Sequence, residues 1–365
     1  MRIGVPKEIK NREYRVGLTP PSVAELTAAG HEVIVEHGAG HGIDFTDAAY
    51  TRVGARIVQT PAEVFAESDM IVKVKEPQPQ EIALLEPRHI LFTYLHLAAD
   101  KPQAEGLMRS GATCIAYETV TSPSGALPLL KPMSEVAGRM SIQVGAHYLE
   151  KEQGGRGVLL GGVPGVAPGR VAILGGGVAG LNAAQMAVGL RADVTIYDIN
   201  NDRLAELDTH FGSQIKTVYA SRAAIASAVD SAHLVIGAVL VPGAAAPKLV
   251  TRDMLKTMKR GSVLVDIAID QGGCFETSHP TTHDDPVFKV DGVIHYCVAN
   301  MPGAVARTSA FALNNATLPF VVKLANLGAE KAIKLDEHLA HGLNVSKGKI
   351  RHKAVAEALD LPFSA

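Results

Sequence analysis

Three glycines at the spacing Gly-x-Gly-x-x-Gly are the most informative residues of this sequence. Gly175, Gly177 and Gly180 follow the apolar run 171–174 and precede a stretch of helix-forming residues. In such a pattern the first glycine permits a tight turn, the second lets the backbone approach a pyrophosphate, and the third lets the helix pack against the strand. The free N–H groups at the start of that helix favour phosphate. The pattern therefore predicts a dinucleotide-binding site.

An acidic residue after the next apolar run indicates which dinucleotide is favoured. Asp198 follows the run 193–197 and lies eighteen residues after the last glycine. Its carboxylate can accept hydrogen bonds from both hydroxyls of an adenosine ribose and would repel a 2′-phosphate, so NAD is favoured over NADP. Arg203, five residues further on, could help to bind a phosphate. A glycine-rich turn in another α/β protein is the alternative, but the strand, helix, second strand and acid together favour the dinucleotide site.

Polar residues also follow other apolar runs, at the point where each run ends. Lys75 and His96 end two runs of the first half, and Arg15 lies in the loop after the first run. Asp270 and Asn300 end two runs of the second half. Because ligands of open parallel sheets bind beyond the carboxyl ends of the strands, we expect these five residues to be functional. Two domains that face each other would bring the two sets together across one cleft.

Each of these residues also has a structural interpretation. Lys75 beside Glu76 could form a solvated ion pair, His96 is one of 14 histidines, and the other three could belong to ordinary loops and turns. The polar stretch 282–285 resembles a set of metal ligands, but no second spaced cluster accompanies it. A polar loop is the better interpretation of that stretch, and no metal is expected.

The composition indicates a soluble globular protein with a large core. The 365 residues suggest two or three domains, and 47% of them are hydrophobic and 20% charged. The formal net charge of −2 gives no basic excess that would favour nucleic acid or an anionic membrane. We expect no signal peptide, and no apolar run reaches the roughly 20 residues that a membrane helix needs. The three cysteines are odd in number and far apart, which favours reduced thiols in the cytoplasm.

The elements that must position these residues alternate between strand-like and helical patterns, as in a doubly wound parallel sheet. A long amphipathic helix is predicted over residues 132–153, with Ser134 as its N-cap. After Gly303 the alternation stops, and an apolar helix over residues 309–327 is expected to return to the first domain. The predicted strands lie near residues 2–5, 32–36, 69–74, 89–95, 112–117, 171–175, 193–197, 215–219, 233–238, 262–267 and 293–298.

These patterns predict an α/β fold with two doubly wound domains. A discontinuous substrate (catalytic) domain, residues 1–130 plus 307–365, would surround a Rossmann NAD-binding domain, residues 131–306. The six predicted strands of the second half match the two mononucleotide-binding halves of that fold.

The stretches that carry these residues match one family. Through these stretches, the sequence resembles bacterial alanine dehydrogenases over essentially its whole length. The contexts of Lys75, His96 and Asp270 are more specific to that family than the glycine pattern, which many enzymes share. The matching stretches are residues 4–11, 72–77, 94–98, 174–180, 237–243, 265–273 and 298–303.

The resemblance implies NAD-dependent, reversible oxidative deamination of L-alanine to pyruvate and ammonium by a homohexamer. Two positions depart from the family pattern, since Ala220 stands where a serine is expected and His279 where an arginine is expected. Both departures could loosen cofactor binding slightly without touching the chemistry. The cofactor contacts that the resemblance implies are Ser134, Val178, Ala179, Asp198, Val239, Leu240, Ile267, Asp270, Val298, Ala299, Asn300 and Met301.

That reaction gives each polar strand-end residue a role. Arg15 and Lys75 can hold the substrate carboxylate, and Lys75 can also polarise the developing carbonyl. His96 can move protons to and from the attacking water and the carbinolamine, because imidazole chemistry suits neutral pH. Asp270 can position water or ammonia, and the segment 298–301 would support the nicotinamide ring.

Two other functions stay open on the sequence alone. The nucleotide-binding subunit of a proton-translocating NAD(P) transhydrogenase resembles the same family, but it would need a membrane partner, and its pattern lacks a histidine that corresponds to His96. A non-catalytic NAD-binding sensor on this fold would not require Lys75, His96 and Asp270 together. For the enzyme, the expected partners are small molecules, with no nucleic acid and no membrane.

Overall fold

The structure is a computed structural model of the chain, and it describes residues 1–239 and 246–364. The chain forms two compact units, Met1–Met133 with Val305–Ala365 and Ser134–Ala304. The predicted domain limits at 130 and 307 lie three and two residues from the limits of the first unit, at 133 and 305. Each unit contains one mainly parallel sheet with helices, so the predicted α/β fold, with one doubly wound unit inserted in the other, is confirmed.

The strands of the described residues are, in chain order, β1 (Arg2–Val5), β2 (Glu32–Glu36), β3 (Arg56–Val58), β4 (Met70–Val72), β5 (Ile90–Thr93), β6 (Thr113–Ala116), β7 (Arg170–Leu174), β8 (Asp193–Asp198), β9 (Ile215–Tyr219), β10 (Leu234–Gly237), β11 (Val263–Asp266), β12 (Val287–Val290), β13 (Val293–Tyr296), β14 (Leu343–Ser346) and β15 (Lys349–Ile350). The α-helices are α1 (Pro20–Ala28), α2 (Asp47–Arg52), α3 (Pro61–Glu67), α4 (Pro79–Ile82), α5 (Lys101–Ser110), α6 (Lys131–Tyr148), α7 (Val178–Gly189), α8 (Asn201–Phe211), α9 (Arg222–Ser231), α10 (Arg252–Leu255), α11 (Ala306–Leu327), α12 (Ala329–Leu335), α13 (Glu337–Ala340) and α14 (Lys353–Leu359).

The sheet of the first unit has the order β15-β14-β6-β5-β4-β1-β2-β3. Strands β6, β5, β4, β1, β2 and β3 are parallel, and β14 and β15 pair antiparallel at one edge. Every residue of β4 and β5 is buried, as is usual for parallel strands that helices cover. The carboxyl ends of β6, β5, β4 and β1 consequently lie side by side at one edge of this sheet.

The sheet of the second unit has the order β12-β13-β11-β10-β7-β8-β9. Its strands are parallel except for β12, which is antiparallel to β13. Counted along the chain, the six parallel strands have the order 3-2-1-4-5-6, which is that of the Rossmann fold. The order reverses between β7 and β10, and ligands of such sheets bind at that point.

Four strands lie outside the predicted set, namely β3, β12, β14 and β15. Strand β3 has only three residues, and β15 has two. Strands β12 and β14 are antiparallel, and polar side chains interrupt their apolar pattern. Short or half-polar strands of this kind depend on the neighbour that they pair with, so their sequence signal is weak. The expectation that strands end after Gly303 is therefore wrong.

Helix α6 begins three residues before Ser134, so the prediction of Ser134 as N-cap is wrong. The helix starts at Lys131 because Pro132 suits a first turn, where its missing N–H has no partner to lose. One turn after Ser134, a Cβ on Gly138 would lie 2.2 Å from the carbonyl oxygen of Ala179. This glycine therefore lets α6 pack closely against the start of α7.

Helix α11 belongs to the first unit, where its Asn314 holds the loop after β1. The buried Asn314 side chain accepts a hydrogen bond from Thr19 N at 2.7 Å and donates to the carbonyl oxygen of Val16 at 3.3 Å. A residue near the end of the chain thus fixes the loop that carries Arg15.

Candidate active site

The three glycines form the turn between β7 and α7. Gly175 has a φ of +101°, which L side chains rarely adopt, and a Cβ there would lie 2.7 Å from the carbonyl oxygen of Ala238. A Cβ on Gly180 would lie 1.9 Å from the carbonyl oxygen of Gly175. Gly177 is exposed, and a Cβ there would meet nothing within 4 Å. Packing thus requires the first and third glycines, whereas the second leaves open space at the N-terminus of α7, beside the exposed Val178.

Asp198 ends β8 beside this turn. Its Oδ2 accepts a hydrogen bond from Gly176 N at 2.7 Å, and its Oδ1 accepts one from Asn200 N at 2.9 Å. The Nε of Arg203 donates to the carbonyl oxygen of Gly176 at 2.7 Å, and its Nη1 pairs with Glu206 at 2.6 Å. The predicted ribose-binding acid and Arg203 therefore hold the glycine turn through the two peptide groups that flank one residue, Gly176.

Asp270 lies on a 3-10 turn, Ile267–Gln271, that follows β11. The Asp270 side chain is exposed, whereas Asp266 at the end of the strand is fully buried. The Asp266 carboxylate accepts hydrogen bonds from Ala268 N at 3.1 Å and Cys274 N at 2.9 Å. Burial raises the pKa of Asp266, and its hydrogen bonds oppose that shift. This acid therefore fixes both ends of the loop that carries Asp270.

The segment after β13 carries four more predicted cofactor contacts. Val298 and Met301 are buried, and Ala299 and Asn300 are half-buried. Asn300 has a φ of +65°, in the left-handed region that asparagine tolerates better than most residues. Its carbonyl oxygen accepts a hydrogen bond from Nε2 of His283 at 3.1 Å. His283 is thus used by the loop, in agreement with the structural interpretation of the stretch 282–285.

Val239, Leu240, Ala220 and His279 are four further positions that the sequence analysis named in the second half of the chain. The side chain of Val239 lies 3.1 Å from where a Cβ of Gly175 would be. Leu240 lies outside the described residues. Ala220 follows β9, and its N–H donates to the carbonyl oxygen of Asp198 at 2.9 Å. The ring of His279 stacks on Phe288, with 3.7 Å between centroids.

Lys75 and His96 follow the adjacent parallel strands β4 and β5. Lys75 Nζ lies 3.7 Å from Glu76 Oε2, so the ion pair that the sequence allows is present. Burial alone would raise the pKa of Glu76, but Lys75 and Lys10 hold it below its ordinary value. The exposed His96 ring is parallel to the ring of Tyr94 within 6°, with 5.6 Å between centroids.

Arg15 lies in the loop between β1 and α1, and only 2% of it is exposed, so the interpretation of an exposed loop residue is wrong. Its Nε donates to Glu13 Oε1 at 2.7 Å, its Nη2 to Glu13 Oε2 at 2.6 Å, and its Nη1 lies 3.1 Å from Met133 Sδ. Burial alone would lower the pKa of Arg15, but Glu13 raises it above its ordinary value. Arg15 is therefore a rigid, charged donor.

Two contacts join the predicted residues of the first unit. A Cβ on Gly17 would lie 2.3 Å from the carbonyl oxygen of Val72, so the Arg15 loop crosses the end of β4 just before Lys75. Arg15 also lies close enough to Tyr94, whose ring stacks on His96, for its charge to oppose the rise in the pKa of Tyr94 that burial causes. The structure therefore brings the substrate-side residues together at one sheet edge.

A buried charged cluster lies beside Lys75. Lys73 Nζ is 3.2 Å from Glu8 Oε2 and 2.6 Å from Glu81 Oε1, with all three side chains at most 2% exposed. Glu8 Oε1 also accepts hydrogen bonds from Val74 N at 2.7 Å and Lys75 N at 3.4 Å. Burial raises the pKa of Glu8, whereas the two carboxylates raise the pKa of Lys73 against the effect of its burial. The backbone of Lys75 is thus anchored to a salt-bridged acid.

Sequence reasoning missed the acids of this edge. Glu8 and Glu13 lie in the same loop as Arg15, and Glu118 follows β6, at a carboxyl end next to that of β5. The strand-end rule would have found Glu118 had it been applied to β6. Nothing local marks Glu8, because its partners, the Lys73 ammonium and the Val74 backbone, lie more than 60 residues away. Glu13 has its partner Arg15 two residues away, but that spacing alone does not indicate a buried ion pair.

Neither a cluster of metal ligands nor a membrane-spanning helix is present among residues 1–239 and 246–364. No group of three or more His, Cys, Asp or Glu side chains could hold a metal ion there. No helix within those residues combines the length and apolar character needed to cross a membrane.

Two family models match the chain. The model described as alanine dehydrogenase/PNT, N-terminal domain, matches residues 4–137, and the model of the C-terminal domain matches residues 141–353. The chain belongs to the alanine dehydrogenase/PNT family. The predicted resemblance is confirmed, and members of this family are pyridine-nucleotide-dependent dehydrogenases.

Individual members show how close the similarity is. The alanine dehydrogenase of Halomonas elongata is 61% identical over 100% of this chain and 98% of that protein. A solved L-alanine dehydrogenase is 56% identical, with a TM-score of 0.96 over 99% of each chain. A transhydrogenase from Sinorhizobium meliloti is 26% identical, with a TM-score of 0.84 over 97% of this chain and 100% of that one. Within the family, the chain is thus more similar to these alanine dehydrogenases than to that transhydrogenase.

Proposed function

We propose that the protein catalyses the reversible reaction of L-alanine, NAD and water to pyruvate, ammonium, NADH and a proton. One observation carries the proposal: a buried cationic Arg15, the lysine Lys75 and an exposed His96 meet at one edge of the first sheet. A carboxylate needs cationic donors, and deamination needs a group that exchanges protons near neutral pH. The 61% identity to an alanine dehydrogenase supports this substrate.

NAD is the proposed cofactor, and the residues present fit it. The open space at Gly177 suits a pyrophosphate at the N-terminus of α7. The Asp198 carboxylate favours ribose hydroxyls over a 2′-phosphate. Bound NAD would supply the chemistry of hydride acceptance. The proposed contacts of the cofactor are Ser134, Gly175, Gly177, Val178, Ala179, Gly180, Asp198, Arg203, Val239, Leu240, Ile267, Asp270, Val298, Ala299, Asn300 and Met301.

On the substrate side, Arg15 and Lys75 bind the carboxylate of alanine. Lys75 also stabilises negative charge on the carbonyl oxygen as pyruvate forms. After the ammonium group of alanine has lost a proton to solvent, loss of hydride leaves an iminium ion, which water attacks. His96 removes a proton from that water and later protonates the leaving amine. Asp270 orients the water or ammonia and balances the cationic intermediate.

A transhydrogenase subunit is the second candidate, because the fold similarity extends to a transhydrogenase. That function needs hydride exchange between two nucleotides, and it has no use for Arg15, Lys75 and His96 as a substrate site. The lower identity, 26% against 56%, also favours alanine as the substrate.

We further propose a homohexamer that acts in the cytoplasm. The hexamer follows from the family resemblance, and its mass would be six times 38.4 kDa, about 230 kDa. The three cysteines are free and buried, which is compatible with a reducing compartment. Light scattering on the purified protein measures the mass directly, and a value near one or two subunits would contradict the hexamer.

The decisive experiment follows NADH absorbance in both directions. L-Alanine with NAD should produce NADH, and pyruvate with ammonium should consume it, whereas omission of ammonium should stop the second reaction. NADPH in place of NADH tests the cofactor. Hydride exchange between NADH and an oxidised nucleotide analogue, without any response to alanine or pyruvate, would instead support the transhydrogenase subunit.

A further inference from the structure

The backbone at His96 is held in an uncommon conformation. His96 has a φ of +50° and a ψ of +36°, in the left-handed region. Residues with a Cβ are strained there, and such strain persists only where the surrounding structure imposes it. Something near His96 must therefore offset the strain.

The carboxylate of Glu118 is that group. Its Oε1 accepts a hydrogen bond from His96 N at 2.6 Å, and both of its oxygens lie 3.2 Å from Leu95 N. On the other side of the same peptide, Gln103 Nε2 donates to the carbonyl oxygen of Leu95 at 2.8 Å. One carboxylate thus gathers two successive N–H groups, which only a sharp turn points in the same direction.

The same arrangement recurs at the other two predicted substrate-side residues. Glu13 Oε1 accepts from Arg15 N at 3.0 Å, and Glu8 Oε1 accepts from Lys75 N at 3.4 Å. Glutamates therefore hold the backbone N–H of Arg15, Lys75 and His96. The bond of Glu118 is the shortest of the three, and only His96 has a left-handed backbone.

We propose that Glu118 is the positioning residue of His96. It acts through the backbone: its charge stabilises the left-handed turn and so fixes the direction in which the imidazole leaves the chain. Charge-assisted hydrogen bonds are strong enough for this task. The kinetic part of the proposal rests on the proposed function, whereas the structural part does not.

Hydrogen exchange measured by mass spectrometry tests the structural part. Glu118→Ala should speed the exchange of the Leu95 and His96 amides at least tenfold. Glu63→Ala is the matched control, because Glu63 Oε2 also accepts two successive N–H groups, from Gln59 at 2.9 Å and Thr60 at 2.8 Å. Its helix follows β3, four strands from β5, or roughly 19 Å away at ~4.8 Å per strand. The control should speed only the amides of Gln59 and Thr60.

A double-mutant cycle tests the kinetic part. Glu118→Ala should lower kcat about 10- to 100-fold, since a displacement of about 1 Å can have an effect of that size. In a His96→Ala background the same change should alter kcat less than twofold, because there is no longer an imidazole to displace. Glu118→Gln keeps one acceptor oxygen and should lie between Glu118→Ala and the wild type. The KM for NADH should stay constant throughout.

Two results would overturn the proposal. Unchanged exchange at Leu95 and His96 in Glu118→Ala would show that the carboxylate does not hold the turn. An equal loss of kcat with and without His96 would show that Glu118 acts by another route. If the wild type does not turn over L-alanine, the proposed function fails, and the exchange experiment alone decides the role of Glu118. If Glu118→Ala does not fold, the same measurements on Glu118→Gln decide that role.

Discussion

Arg15 is almost fully buried and makes a two-point ion pair with Glu13. A guanidinium has five N–H donors in a fixed plane, so the pairing with Glu13 also fixes the orientation of that plane. The ion pair is thus part of the proposed substrate site, because it determines both the charge and the orientation of Arg15.

Replacement of Arg15 should weaken substrate binding. Arg15→Ala should raise the KM for pyruvate and alanine roughly 10- to 150-fold, as expected for the loss of a charge-assisted bond of ~1.5–3 kcal/mol. It should also lower stability by about 3–5 kcal/mol, since Glu13 is left buried without its partner. Arg15→Lys should restore part of the binding but not the planar geometry. Steady-state kinetics and urea unfolding measure the two effects, and an unchanged KM would remove Arg15 from the substrate site.

Removal of the His96 imidazole should affect the chemical step. We expect His96→Ala to lower kcat about 10²- to 10⁴-fold, the usual contribution of a general acid–base group. The affinity for NADH should hardly change, because the predicted cofactor contacts belong to the second unit. Fluorescence titration with NADH serves as the control for folding. A variant with normal kcat would show that another group transfers the proton.

Asp198 should set the preference for NAD. Asp198→Ser and Asp198→Gly should narrow the ratio of kcat/KM between NAD and NADP, because the repulsion of a 2′-phosphate is removed. They also remove the acceptor of Gly176 N, so affinity for both cofactors should fall. Asp198→Asn separates these effects, since it keeps an acceptor oxygen while losing the charge. Equal turnover of both cofactors by the wild type would contradict the assignment.

The residues that the sequence singled out are those whose own side chains are proposed to do the chemistry. Lys75, His96 and Asp270 stand at strand ends, and sequence pattern alone locates strand ends. Glu118 could have been found by the same rule. Glu8 accepts a hydrogen bond from the backbone N–H of Val74, 66 residues further along the chain. That bond can form only after β1 and β4 have paired.

Among the elements, the strands with clear apolar runs could be predicted, whereas the short or half-polar strands β3, β12, β14 and β15 could not. Strand β13 contains a histidine whose properties depend on burial in the sheet, which the sequence pattern alone does not indicate. Its His295 is fully buried, bonded to Thr277 Oγ1 at 2.8 Å and to the carbonyl oxygen of Val293 at 3.2 Å. Burial lowers the pKa of His295 to about 4, so the imidazole is neutral in the folded sheet.

This buried histidine should make the second unit sensitive to acid. The unfolded chain binds a proton at His295 below its ordinary pKa of 6.5, whereas the folded chain binds it only near 4. The contribution of neutral His295 to the free energy of unfolding is therefore complete above pH 6.5 and is lost as the pH falls to about 4. The loss amounts to about 3 kcal/mol, at 1.36 kcal/mol per pKa unit.

Denaturant unfolding at several pH values measures that loss. His295→Gln should flatten the dependence between pH 6.5 and pH 4, and His147→Gln, at an exposed position on α6, should leave it as in the wild type. Parallel curves for the wild type and His295→Gln would contradict the assignment.

For the molecule as a whole, the division into two units predicts where a cofactor should act. NADH at a hundred times its Kd should raise the free energy of unfolding by about 2.7 kcal/mol. In hydrogen exchange, its protection should fall on the glycine turn and the ends of β8, β11 and β13, all within Ser134–Ala304. Protection confined to Met1–Met133 would contradict the assignment of the cofactor to the second unit.

The antiparallel pairing of β14 with β6 determines when the first unit can be finished in the cell. A ribosome makes Leu343 of β14 227 residues after Ala116 of β6, which takes roughly 10–45 s at ~5–20 residues per second. Until then the first sheet has an open edge at β6. The loop that carries Arg15 lacks its partner Asn314 until that residue is made, 29 residues before Leu343. The second unit, Ser134–Ala304, is synthesised between β6 and β14, so it can fold before the first unit is complete. Nascent chains of this protein therefore pass through a stage in which β6 is unpaired on one side, so that aggregation competes with folding. Chaperone binding would matter most at that stage.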